Sequence, residues 1–129
     1  MALPKGPWGA HASIGAITAT TDSGAVFPVW LNPHSCTVEI TDADISGVWT
    51  ANATHYVSIL LKDGDGNTIA TKALSATSCT GSGYVDMGTL TNQYIAAGET
   101  VYATVTQTNN GLSITRLPID LAYEMVRGA

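Results

Sequence analysis

HYVSILLK (residues 55–62), DGDGN (63–67) and TIATKAL (68–74) read as strand, turn and strand, and this passage decides the fold class. Between Val57 and Leu61 both faces carry apolar side chains, which places the strand near the centre of its sheet or at an oligomer contact. The Asp-Gly steps of 63–67 favour a tight reversal, because Gly adopts positive φ without steric cost. A calcium loop of EF-hand type beginning at Asp63 needs Gly at its sixth position and Glu at its twelfth, where this chain has Thr68 and Leu74.

Working outward, IAAGETVYATVTQT (95–108) and LPIDLAYEMV (117–126) carry the two-residue period of half-buried strands. Val101, Ala103 and Val105 face away from Tyr102, Thr104 and Thr106; Ile119, Leu121, Tyr123 and Met125 share a face opposite Asp120, Ala122, Glu124 and Val126. Strands are expected at 13–20, 25–31, 36–41, 54–62, 67–74, 84–90, 100–108 and 117–126, with turns at 21–24, 63–67, 97–99 and 109–111. About eight short strands at this spacing predict an all-β fold, a jelly roll or related antiparallel β-sandwich. Pro28 has no ladder donor and marks an edge or bulge, and Pro118 opens the last strand. Residues 41–53 read as the longest loop, with Trp49 as the most exposed-looking aromatic, while Trp30 is expected in the core.

At 129 residues the chain fits one domain. Residues 1–12, with Pro4 and Pro7 and the single large aromatic Trp8, read as an irregular arm ahead of one β-domain spanning 13–129. The opening stretch has no apolar run of signal-peptide or membrane-anchor length. Only 12% of residues are charged, against ~25% in an average domain, while eighteen threonines and thirteen glycines fill much of the remainder. So sparse a charged surface points to subunit contacts, the alternative being a lightly charged monomer. The formal net charge is −5 and the five basic residues are scattered, which disfavours nucleic acid as a partner. Two states stay open for Cys36 and Cys79: free thiols, the default in a reducing cytosol, and a disulfide.

Catalytic and metal signatures do not assemble. His34 and Cys36 form one His-x-Cys pair without a second, so no metal site or cofactor is expected. No Gly-x-Ser-x-Gly elbow occurs. Asp42 and Asp44 are the nearest candidates for paired acids, and their two-residue spacing reads as a solvated polar loop. The chain is expected to be noncatalytic.

The Asn/Thr-Tyr lead-in to the strand at Tyr56, the AAGE turn (96–99) before an alternating Val/Thr strand, and the closing LP-x-D-L-x-Y pattern (117–123) resemble the head decoration, or cement, proteins of tailed bacteriophages. The resemblance covers the last three quarters of the chain. It implies a jelly-roll module that binds the major capsid protein on the outer surface of the virion as a homotrimer and is made in the host cytoplasm, with no membrane partner. By the same resemblance the arm reaches across capsid subunits, with Leu3, Trp8 and His11 as anchors, and Tyr56, Tyr102 and Tyr123 lie near the trimer contact or in the core. The alternative is a lectin-like jelly roll, alone or in a virion fibre, with Trp49 and Asn52 against a glycan beside Thr50.

Overall fold

The computed structural model describes residues 8–14, 24, 26–109, 111 and 113–126. They form eleven strands: β1 (Trp8–Ile14), β2 (Val26–Leu31), β3 (Val38–Ile45), β4 (Val48–Trp49), β5 (Tyr56–Lys62), β6 (Thr68–Ala73), β7 (Cys79–Thr80), β8 (Val85–Asp86), β9 (Tyr94–Ile95), β10 (Thr100–Thr108) and β11 (Leu117–Met125). One sheet runs β1-β11-β3-β8, with β9 also paired to β3; the facing sheet runs β2-β10-β5-β6, and β4-β7 make a small separate ribbon.

The pairing is that of one long antiparallel ribbon rolled up on itself. The first strand pairs the last, β2 pairs β10, β3 pairs β8 and β9, and β5 pairs β6 across the central turn. Successive ribbon segments fall alternately into the two sheets, which is the jelly-roll form of the β-sandwich.

Alternation along the strands supplies the core. Ile40, Ala43 and Ile45 of β3 and Ile119, Leu121 and Tyr123 of β11 point inward, onto Val57, Ile59 and Leu61 of β5 and Val101, Ala103 and Val105 of β10. Burying a Leu or Ile side chain of this kind contributes roughly 1.5–3 kcal/mol. The strand at 56–62 lies inside its sheet between β10 and β6, as its apolar run requires. Pro28 sits on the edge strand β2 next to a register shift that leaves Val29 bulged.

Two polar knots close the ends. Asn32 is 1% exposed; its Nδ2 donates to the carbonyls of Cys36, Ile95 and Ala96, and its Oδ1 accepts from His34 N. That one side chain ties the end of β2 to the approach to β3 and to the turn between β9 and β10. The Tyr123 hydroxyl meets His34 Nε2 at 2.9 Å, and its ring packs on Trp30 at 4.5 Å. At the central turn Asp63 Oδ1 accepts from Asp65 N and Asn67 N, so the DGDGN passage is a hairpin clamped by its first residue.

Several expectations need correction. Residues 8–12, expected in an irregular arm, run in β1 with Trp8 opposite Tyr123. The inward pair of Trp8 and Ala10 packs on the core, a tertiary gain that local composition does not advertise. The supposed loop at 41–53 is strand to Ile45 and again at Val48–Trp49, because Ala43 and Ile45 fill the core between two aspartates. Trp49 is 6% exposed, with its indole N–H donated to Thr77 O at 2.6 Å. Trp30 is half-buried at the end of the core. The strand expected at 84–90 shortens to β8, and the one expected at 13–20 falls mostly outside the described residues.

Replacing Asn32 by Leu removes the side-chain donor from the carbonyls of Ile95, Cys36 and Ala96, of which the last keeps Glu99 N. It should lower unfolding free energy by roughly 2–4 kcal/mol, read as a lower midpoint in urea; an unchanged midpoint would remove Asn32 from this role.

Candidate functional site

Register and alternation decide which side chains face solvent on the five-stranded sheet. His11 of β1 stands opposite Asp120 of β11, Asp120 opposite Asp44 of β3, and Asp44 opposite Asp86 of β8. Four titratable side chains therefore form one row across four strands. Asp42 lies two positions along β3, and Glu39 stands opposite Glu124. Six of the chain's ten acidic residues are on this face. Like charges directly opposite one another in a sheet are destabilising, so the row is maintained against a cost.

That cost shows as a raised proton affinity at one carboxyl. Burial, a hydrogen bond to Asp42 and the charges of Asp42, Asp86 and Asp120 push Asp44 up to about 6. At the far end His11 Nδ1 hydrogen-bonds Asp120 Oδ1, a contact exposed enough that its worth is about 0–1 kcal/mol. A hydrogen bond to Asp120, then partial burial and the Asp120 charge, raise Tyr84, while Arg116 opposes them.

Two carboxylate trios have oxygens that all lie within 4.8 Å of one another: Asp42, Asp44 and Asp86, and Asp63, Asp65 and Glu99. The second trio serves the chain's own turns. Asp63 accepts backbone N–H groups within the hairpin, and Glu99 accepts Gly64 N and Ala96 N. In the first trio Asp42 accepts Ala43 N and Asp86 accepts Gly88 N.

The outer face of the other sheet has the opposite character. Val26, Pro28 and Leu31 of β2, Tyr102, Thr104 and Thr106 of β10, and Tyr56, Ser58 and Leu60 of β5 point outward. Lys62 is the one charged side chain of this face among the described residues. Val26 and Leu31 are 59% and 55% exposed.

A cleft of about 560 Å³ lies beside the β4-β7 ribbon, lined by Gly47, Val48, Tyr84, Arg116 and Pro118 among others. Gly47 has φ +138°, and a Cβ there would stand 2.8 Å from Arg116 O, so the close approach of backbones at the cleft floor requires glycine. Arg116 is anchored through Nε to Ser13 Oγ at 2.9 Å.

The residues singled out from the sequence separate. Leu3 lies outside the described residues. Trp8 turns inward, edge-on to His34 at 5.7 Å, so it serves the domain's own packing. His11 faces outward in the acidic row. Tyr56 and Tyr102 lie on the neutral face, whereas Tyr123 is core. Asn52 Oδ1 accepts Thr54 N and His55 N, a local turn contact, and the Trp49 ring is buried rather than presented for a sugar to stack on. Cys36 and Cys79 are free thiols; Cys36 lies against Met125, and Cys79 is buried against Gly83 O. The aspartate row was missed because Asp42 and Asp44 read as loop residues. Their signal is the alternation Asp42, Ala43, Asp44, Ile45, which strand propensities alone do not favour.

No family model matches the sequence, and no curated protein matches it. Among solved structures, a chain of the acid-stable capsid structure of Helicobacter pylori bacteriophage KHP30 superposes with TM-score 0.58 at 14% identity, over 95% of this chain and 92% of that one. A chain of infectious bursal disease virus, Gt strain, matches with TM-score 0.39 at 12% identity, over 95% of this chain and 38% of that one. The likeness to the phage capsid chain shows a shared fold.

The raised Asp44 carboxyl fixes the sign of a pH effect. The stability that its proton supplies is fully present below its ordinary value of 3.8 and is lost as pH rises through about 6. Melting temperature should therefore fall between pH 4.5 and 7. Asp44→Asn, which mimics the protonated acid, should raise the melting temperature at pH 7 and flatten that dependence; an identical slope in the variant would show that Asp44 is not its source.

Proposed function

We propose that this chain is a noncatalytic structural subunit of a bacteriophage virion, a decoration protein that binds the major capsid protein on the outer capsid surface as a homotrimer. The observation that carries the reading is the near one-to-one match with a capsid chain. Coverage of 95% of one and 92% of the other means two chains of nearly equal length, each accounted for by a single jelly roll. A jelly roll of this kind suits a subunit seated on a shell.

The physical logic is avidity. A trimer seated where capsid subunits meet touches several at once, and the linked contacts multiply without any single one being strong. A closed ring of copies also hides surface that a lone, weakly charged domain would leave open. The free thiols suit synthesis in the reducing host cytoplasm. The KHP30 capsid is described as acid-stable, and the aspartate row of this chain gains stability in the same direction of pH. Residues 1–12 keep their proposed contact with the capsid through Leu3 and His11, with Trp8 holding the root of that segment to the domain.

Light scattering on the purified chain at micromolar concentration should give three times 13.3 kDa. A monomer at every concentration up to the millimolar range would remove the preformed trimer from the reading.

A further inference from the structure

The two outer faces differ so sharply in charge that they cannot serve the same purpose. Glu39, Asp42, Asp44, Asp86, Asp120 and Glu124 crowd one face, where His11 and, at its edge, Arg116 on Ser13 Oγ are the side chains able to carry positive charge among the described residues. The formal charge of the whole chain is −5, so the acidic face alone accounts for that excess. The face of β2-β10-β5-β6 carries Lys62 and otherwise threonines, Ser58, two tyrosines and aliphatic side chains.

From this asymmetry we infer that the outer face of β2-β10-β5-β6 is the surface through which copies of this chain pack together, with the acidic faces turned away from the shared axis. The occupant is a second copy because charge sorts the arrangements. Bringing two acidic faces together sets rows of like charge against each other and costs free energy at low ionic strength. Bringing neutral faces together carries no such cost and removes Val26, Leu31 and Leu60 from water.

The geometry also selects face packing over edge pairing. Pro28 interrupts the donor row of β2, and the adjacent bulge bends the strand, so a neighbour's strand cannot extend the sheet there by a continuous ladder. The apolar side chains of β2 instead project from the sheet at both ends of the strand, Val26 beside Thr104 and Leu31 beside Thr100. Tyr102 sits between them, in register with Pro28 on one side and Lys62 on the other, as an amphipathic anchor of the kind enriched at protein contacts. This inference rests on the self-associating reading proposed above and adds the surface that carries it.

Sedimentation velocity on the full chain tests it. Val26→Glu/Leu31→Glu places two charges at positions already more than half exposed, so folding should be preserved, as an unchanged far-UV spectrum and a melting temperature close to that of the wild type will show. The double variant should raise the dissociation constant of the assembly at least tenfold and sediment as single chains where the wild type is trimeric. Glu39→Gln/Glu124→Gln, on the acidic face, should leave the assembly intact. A trimeric wild type whose double variant remains equally trimeric would overturn the assignment of this face while leaving the trimer standing. A monomeric wild type would overturn both.

Discussion

The register between β3 and β11 is the constraint on which the rest of the molecule depends. These two strands form the middle of the five-stranded sheet, and their pairing puts Ile45 opposite Ile119 and Ala43 opposite Leu121 on the core side. Once those residues are inside, the pleat leaves no choice for their neighbours. Asp44 must stand beside Asp120 on the outside, and β8 and β1 extend the same row to Asp86 and His11. A slip of one residue would relieve the carboxylates but would turn the apolar set to solvent, at several kcal/mol for the buried side chains lost. Hydrophobic burial therefore wins, and the electrostatic cost appears at Asp44 as an affinity for protons. The bulge at Thr41, where the β3–β11 register shifts, keeps Ile40 in the core on the far side of the same strand.

Much of the β grammar was legible in the sequence, for a local reason. The hairpin of 56–73, the strand 100–108 and the last strand each carry their own alternation and their own turn chemistry, and the structure places them as read. The turn at Ala97–Glu99 uses Gly98 at φ +76°, and Asn109 adopts φ +52°, as turn residues of those types permit. What local patterning does not carry is partnership across long sequence separation. β1 is a strand because β11, more than a hundred residues away, offers it a ladder and a place for Trp8; nothing between residues 8 and 14 says so. Trp49 is buried for a similar reason, since the two-residue ribbon β4-β7 folds Cys79 and Thr77 over it. Asp42 and Asp44 looked like loop residues because aspartate is a poor strand former, and only the inward Ala43 and Ile45 outvote it.

The functional surfaces follow the same division. The three tyrosines grouped by the sequence reading as contact or core divide by strand parity, Tyr56 and Tyr102 to the neutral face and Tyr123 to the core. A sandwich has two outer faces that a free monomer would expose alike. Here one carries six carboxylates and the other a single lysine among the described residues, and the proposed packing of copies draws on that difference.

The most direct test of the proposed virion role is to purify any virus particles released from the source cells of this chain and measure its copy number against the major capsid protein by quantitative mass spectrometry, before and after a wash that strips accessory subunits. The account predicts many copies per virion, released in the wash while the shell remains closed. Absence from purified virions, or release only when the shell itself falls apart, would contradict it.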